Sequence, residues 1–295
     1  MTPKKKTYVE LFPSIRQKQW EWPAIANFSL GGAGAGFHCF IFLTTYLGND
    51  AYINLNAFLL KLLGPTIVTI GLMLLLIEAG RPSRTFHLIR RLRLSWMSRE
   101  VLFYLIFLLT ALVDYVSPSV ALRLVSVTCA VGLILSQGFI VHDSKAVSAW
   151  NRPAVPWLFL LSGIASGAVI ALLISLISAI PSSPEFLLIA ILSIAANSVI
   201  WTVYLFYSGH GDEDFRSATQ ALRRPVSLAA ILGLGHFLPL GLILILYSVN
   251  NRKVGGHYST FLAIVSGVLI LAGVFLQKAA LIHQAGGKRR IGFDF

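Results

Sequence analysis

Glu78 and Glu100 flank an arginine-rich stretch, LLLIEAGRPSRTFHLIRRLRLSWMSREVLFY, that runs from Leu74 to Tyr104. The stretch starts at the end of one apolar segment and finishes inside the next. It carries six arginines between and beside the two carboxylates. A carboxylate at the edge of an apolar segment is costly, and such groups usually face a bundle interior or an aqueous cavity and mark proton paths. Partial burial can bring a glutamate into the range where it accepts a proton near neutral pH. The chemistry on offer is therefore proton transfer. The competing reading is structural, in which each glutamate pairs with Arg81, Arg99 or another loop arginine, the usual way to tolerate burial.

The elements that position these carboxylates must be membrane helices. Mean hydropathy is +0.75, and only 12% of the 295 residues are charged, roughly half the fraction expected of a soluble domain. The apolar residues come in long blocks, and about 18 or more in a row suffice to cross a bilayer as a helix. The fold class is thus an all-α polytopic membrane protein, a bundle of eight transmembrane helices with both termini on one side. Spans are expected over 24–47, 57–78, 99–117, 120–142, 154–180, 185–207, 226–248 and 259–284. The domain layout is a basic N-terminal segment over 1–23, the transmembrane domain over 24–284 and a basic tail over 285–295. The N-terminus lacks the short cleavable apolar core of a signal peptide.

With eight spans, 19 of the 24 lysines and arginines fall on the face that holds both termini. Positive charge in short loops marks the cytoplasmic side, which puts the termini and both glutamates there. Lys61, Arg123, Arg252 and Lys253 fall on the other side, and Lys278 lies within the last span. The acidic stretch HGDEDFRSATQ (210–220) reads as a solvated loop. Arg223 and Arg224 are candidates to pair a pocket carboxylate. No nucleic-acid partner is expected; the partner of the basic face is the bilayer or a docked protein.

The first span opens with WEWPAIANFSLGGAGAGFH. Pro23 suits a helix start, and Trp20 and Trp22 suit the headgroup level. Gly32 and Gly36 form a GxxxG pair that lets another helix approach closely. Asn27, Gly31, Gly34 and His38 recur at i, i+4, i+7 and i+11 and share one helix face. That face is a polar stripe on a smooth wall against which a flat ring could lie.

WEWPAIANFSLGGAGAG resembles the start of the membrane subunits of polysulfide reductase and its NrfD relatives. EAGRPSRTFHLIRRLRLSWMSRE resembles the corresponding loop of the DMSO reductase anchor, DmsC, with its pattern close to H-L-G-x-P-x-R-A-F followed by L-S-x-E. AVSAWNRPAVPWLFLLSGIASGA resembles the segment after the fourth span in that group. Together these cover about the first 170 residues; the last four spans match in layout only.

The resemblance implies a heterotrimer in the cell membrane, in which a molybdopterin catalytic subunit and a four-cluster iron–sulfur subunit dock on this anchor. The anchor itself binds menaquinone or ubiquinone as substrate and carries no redox centre. Cys39 and Cys129 agree with this, because a cluster takes about four thiolates. The position of Glu78 is often histidine in the family and is implicated in quinol binding; Glu100 matches the family's glutamate. Asn27 stands where the polysulfide reductase anchor has a quinone-contacting histidine. Ala24 replaces an asparagine contact, and Ser136, with Gln137 beside it, replaces a tyrosine. The expected site therefore has Glu78 as proton acceptor and Glu100 as orienting or relaying group. Asn27, Ser136 and Gln137 would contact ring oxygens, Gly31 and Gly34 would form the wall, and Arg81, His87 and Trp96 would stand at the mouth.

Two other classes compete. His38 and His236 sit at matching depths and could hold a haem between two helices; no other metal ligands are expected. A transporter is the second alternative, although the internal repeats common in transporters are not evident between the two halves.

Overall fold

In a computed structural model, the described residues are 8–12, 16–17, 20–46, 61–78, 93, 95–177, 184–251, 257–287 and 291–294. Strand β1 (Tyr8–Phe12) leads into α1 (Trp22–Tyr46), followed by α2 (Leu63–Glu78), α3 (Trp96–Val116), α4 (Val120–His142), α5 (Ala154–Ile177) and α6 (Pro184–His210). A short α7 (Glu213–Ala218) and α8 (Pro225–Leu228) precede a π-helical segment, Ala229–Phe237, which continues into α9 (Leu238–Asn251). Last come α10 (His257–Ala279), its π-helical end Ala280–Gln284, and β2 (Ile291–Asp294).

Seven of these helical runs are long and apolar enough to cross a bilayer; the run Pro225–Val249 counts α8, the π segment and α9 as one. Of the eighth expected span, 57–78, residues 57–60 lie outside the described residues. Its described helix has 16 residues, about 24 Å at the usual rise, against a hydrocarbon core of about 30 Å. Pro65 lies in its first turn, where a missing N–H costs nothing. Helices dominate because lipid cannot satisfy a backbone N–H or C=O, so each span must do so internally. Hydroxyls within the spans follow the same rule: Ser166 Oγ donates to the Ser162 carbonyl at 2.8 Å and Thr110 Oγ1 to that of Ile106 at 2.7 Å.

α1 is the central and most buried span. It packs against α2, α4, α5 and α10. A Cβ on Gly36 would overlap the Gly163 carbonyl, and one on Gly167 would overlap the Gly36 backbone. The α1–α5 crossing is therefore a backbone-to-backbone contact that only small residues permit. α3 is peripheral: Leu105, Leu109, Leu112 and Val113 are exposed along its outer face, as a lipid-facing surface requires. At its far end Asp114 accepts from Ser119 N at 2.8 Å, Lys61 Nζ at 3.0 Å and Arg123 Nε at 3.3 Å. That cluster closes the turn into α4 and ties it to the start of α2.

The transmembrane bundle is all-helical as expected, and one small addition lies outside it. β1 pairs antiparallel with β2, and Arg16 bridges to Gly287, so the two terminal segments form a small ribbon outside the helical bundle. The stretch 210–220 also differs from a solvated loop. Asp212 caps α7 by accepting from Phe215 N at 2.8 Å and takes two 2.8 Å bonds from Arg152 Nη2. Phe215 is buried edge-on against Tyr204. The apolar Phe215, easily lost in an acidic run, supplies the anchor.

Candidate quinone site

Three side chains from three spans meet, with Asn27 and Gln137 converging on Glu100. Glu100 is in the second turn of α3, 3% exposed. Its Oε1 accepts from Gln137 Nε2 of α4 at 3.0 Å and from Asn27 Nδ2 of α1 at 3.3 Å. Among the described residues no lysine, arginine or histidine lies within 4.0 Å of its carboxylate. The neighbouring Arg99 instead lies over the Trp96 ring at 4.1 Å and donates to the Arg93 carbonyl at 3.0 Å. The salt-bridge reading of Glu100 is therefore not what the described residues show; two neutral amides solvate it.

The sequence spacing explains this convergence. Asn27 sits in the second turn of α1, Glu100 in the second turn of α3, and Gln137 in the second-last turn of α4. α4 runs back toward the end where α3 begins, so the three positions share one level of the bundle. Gly31 makes the contact possible. Its Cβ, if present, would overlap Gln137 Nε2, so the amide occupies the space that the glycine leaves. Gly31 thus serves as a bed for Gln137. Gly34 faces α2, where a Cβ would meet the Gly64 carbonyl, Ile67 and Val68. Ser136 is buried, and its Oγ donates to the Gly132 carbonyl of its own helix at 2.7 Å. Of the adjacent pair, Gln137 is the one that reaches the carboxylate.

The cluster has unmet hydrogen-bonding capacity. Asn27 Oδ1 and Gln137 Oε1 are buried with no described partner, and both amides use the same glutamate oxygen. Buried polar atoms are almost always paired, so each orphan needs an explanation. Two amide oxygens and a carboxylate oxygen are all acceptors in this arrangement, suited to a ligand that brings hydroxyl donors.

Of the remaining expected site residues, α2 ends at Glu78, but its side chain, Arg81 and His87 lie outside the described residues. Trp96 stacks on Phe139 at 4.3 Å, at the same end of α3 as Glu100. Arg223 is drawn to the Arg216 carbonyl, 2.7 Å from its Nη2.

The two histidines of the haem alternative are each engaged elsewhere. His38 Nε2 is 2.8 Å from Ser126 Oγ, and its ring meets Phe107 edge-on. His236 Nδ1 donates to the Ile231 carbonyl at 2.6 Å, and its Nε2 is 3.0 Å from Asn197 Nδ2 and 3.2 Å from Gln277 Oε1. The two nitrogens that iron would need are thus held by different helices. Among the described residues no three histidine, cysteine, aspartate or glutamate side chains converge to hold a metal.

The chain matches the family model of the DMSO reductase anchor subunit (DmsC) over residues 16–281. It belongs to that family. It is accordingly a multi-pass membrane protein, the membrane anchor subunit of a DMSO reductase-type oxidoreductase that also comprises catalytic and iron–sulfur subunits. No curated protein matches the chain. The family match extends through the last four spans of the anchor, where sequence motifs were absent.

Two buried polar features in those spans involve residues noted in the sequence, His236 and Lys278, whose partners the sequence did not indicate. One is the His236–Asn197–Gln277 cluster, placed by the π-helical segment. Pro239 has no N–H to offer the Gly235 carbonyl, which disturbs the ladder there, and π turns absorb such irregularity and recur at functional sites. The other is Lys278, 2% exposed. Its Nζ donates to the Phe28 carbonyl at 2.7 Å and lies 5.5 Å from the Phe159 ring centroid. A Cβ on Gly32 would stand 2.9 Å from that nitrogen. A lone lysine in an apolar span opposite a glycine was the available signal.

Proposed function

We propose that the anchor exchanges electrons and protons with the quinone pool at the Glu100–Asn27–Gln137 cluster. The observation that carries this reading is a buried carboxylate with no described counter-ion, solvated by two amides whose oxygens are unpaired. A menaquinol or ubiquinol releases two protons and two electrons on oxidation. The Gln137 and Asn27 oxygens accept from ring hydroxyls and orient the ring. Glu100 takes a proton on the oxygen that neither amide uses, because it is the only titratable member of the three. Glu78, at the end of α2, serves as the next proton acceptor toward the basic face. The electrons leave for the docked iron–sulfur subunit, whose clusters, with the molybdopterin of the catalytic subunit, supply the remaining redox chemistry.

The chain crosses the cell membrane eight times, with both termini in the cytoplasm. Support comes from the β1–β2 pairing, which brings the two ends together, and from the 19 basic residues on that face. The catalytic partners then dock on the cytoplasmic side, above the cluster; a terminal reporter active only outside the cell would overturn this orientation. The quinone reading is tested with Glu100→Gln in the assembled complex. Turnover driven by a quinol analogue should collapse while turnover driven by a soluble dye, which bypasses the anchor, is retained. Equal quinol-driven rates in variant and wild type would reject Glu100 as a participant.

A further inference from the structure

A polar cavity separate from the Glu100 cluster lies where two spans end. It measures about 380 Å³ and is lined by Arg16, Gln17, Trp20, Glu21, Trp22, His283 and Gln284. Trp22 is the first residue of α1, and Gln284 is the last residue of the π-helical end of α10. A cavity bounded by the ends of two spans sits at the level of the lipid headgroups, the depth that tryptophans favour. Its volume falls in the range of about 300–1,000 Å³ typical of small-ligand sites.

Part of the wall is held by hydrogen bonds and ring stacking. Gln17 Nε2 donates to the Trp20 carbonyl at 2.9 Å, and Trp20 N returns a 2.9 Å bond to Gln17 Oε1. Gln17 N is tied to the Gly286 carbonyl at 2.9 Å. Trp20 stacks on Trp150 at 4.9 Å and Trp22 on Phe275 at 5.8 Å. The charges have no salt-bridge partner among the described residues. Arg16 and Glu21 line the same space, yet neither pairs with the other or with any other described charge. His283 Nε2 is inaccessible to solvent and has no described partner.

We infer that this cavity binds the headgroup of a zwitterionic phospholipid bearing a primary amine. Arg16 meets the phosphate with its guanidinium fork, with His283 beside it, and Glu21 accepts from the ammonium. One cation and one anion in a single cavity, neither in a salt bridge among the described residues, match a ligand that carries both signs. Trp20 is covered on one face by Trp150, and Trp22 meets both Phe275 and His283. The two tryptophans form a wall for the glycerol region rather than the two-sided aromatic cage that a quaternary ammonium prefers. A primary ammonium, which donates hydrogen bonds to a carboxylate, is the better fit. The inference does not depend on the quinone reading.

The test uses the full chain with its partner subunits, assembled in nanodiscs of equal phosphatidylethanolamine, phosphatidylglycerol and phosphatidylcholine. Lipids retained after detergent extraction are counted by native mass spectrometry. Wild type should retain phosphatidylethanolamine in preference to both others. Glu21→Gln should lower its preference over phosphatidylglycerol by about tenfold, the low end of what one hydrogen bond to a charged group is worth. Arg16→Gln should reduce retention of all three. Both residues are exposed, so neither change threatens the fold. Lipid ratios that are identical in wild type and both variants would overturn the inference. So would Arg16→Gln releasing the iron–sulfur subunit with lipid retention unchanged, which would make the cavity a protein-docking site.

Discussion

Gly31→Ala is a sharp test of the cluster, because it changes no chemical group. The new methyl would occupy the position of Gln137 Nε2. The obstacle is the far end of a flexible side chain, so the helices need not part; the Gln137 amide swings away instead. The loss is the 3.0 Å bond to Glu100, with Gln137 Oε1 displaced from its place in the site. A hydrogen bond to a charged group is worth about 1.5–3 kcal/mol. If that bond orients the reacting quinol, the loss corresponds to a fall in rate of roughly 10- to 150-fold. Helix propensity pulls the other way, since alanine is favoured over glycine by about 0.5–1 kcal/mol within a helix, so assembly and thermal stability should hold. The assay compares quinol-driven with dye-driven turnover in Gly31→Ala, Gln137→Ala and the double variant. Gln137→Ala should reproduce the defect. The double variant should be no worse than either single one, because shortening residue 137 removes the obstacle. Full quinol-driven activity in Gly31→Ala, or losses that multiply in the double variant, would refute the argument.

The contrasting substitution is Gly36→Ala, whose methyl would overlap the Gly163 carbonyl in the α1–α5 contact. Backbone cannot swing aside, so the expected result is poor membrane accumulation of the anchor, read by immunoblot, rather than a selective loss of quinol turnover. Asp114→Ala strands Lys61 and Arg123 and frees Ser119 N. With Asp114 4% exposed but its partners at 18% and 39%, it should destabilise by about 2–4 kcal/mol, visible as a lowered unfolding temperature in detergent. Lys278→Met fills the same volume without a cation that has no described carboxylate partner, so the unfolding temperature should hold or rise. Ser126→Ala removes the 2.8 Å partner of His38 and should cost about 1–3 kcal/mol in the same measurement.

Much of the architecture was legible along the chain because a bilayer imposes a one-dimensional rule. A helix must be about 20 apolar residues long to cross, so the long runs announced themselves in order. Pro23, Pro65 and Pro225 sit near helix starts, and the GxxxG residues lie where backbones touch. The terminal ribbon was not legible, because β pairing between residues about 280 positions apart leaves no local period. Nor was α7: one buried phenylalanine in an acidic run reverses what composition implies.

The candidate site divides in the same way. Residue types nominated Glu100, as a carboxylate at the edge of an apolar span, and placed Asn27 on a polar helix face; Gln137, and Asn27 as a ring contact, came from the family resemblance. Their meeting around one oxygen depends on the relative rotation and depth of α1, α3 and α4, which follow from close packing of three helices and not from any one segment. The same packing decided that Gly31 serves Gln137, that Gly34 serves α2 and that Ser136 turns back on its own helix. Helical period says which residues share a face; only the neighbours brought to that face determine what each residue touches, and in this bundle those neighbours come from far along the chain.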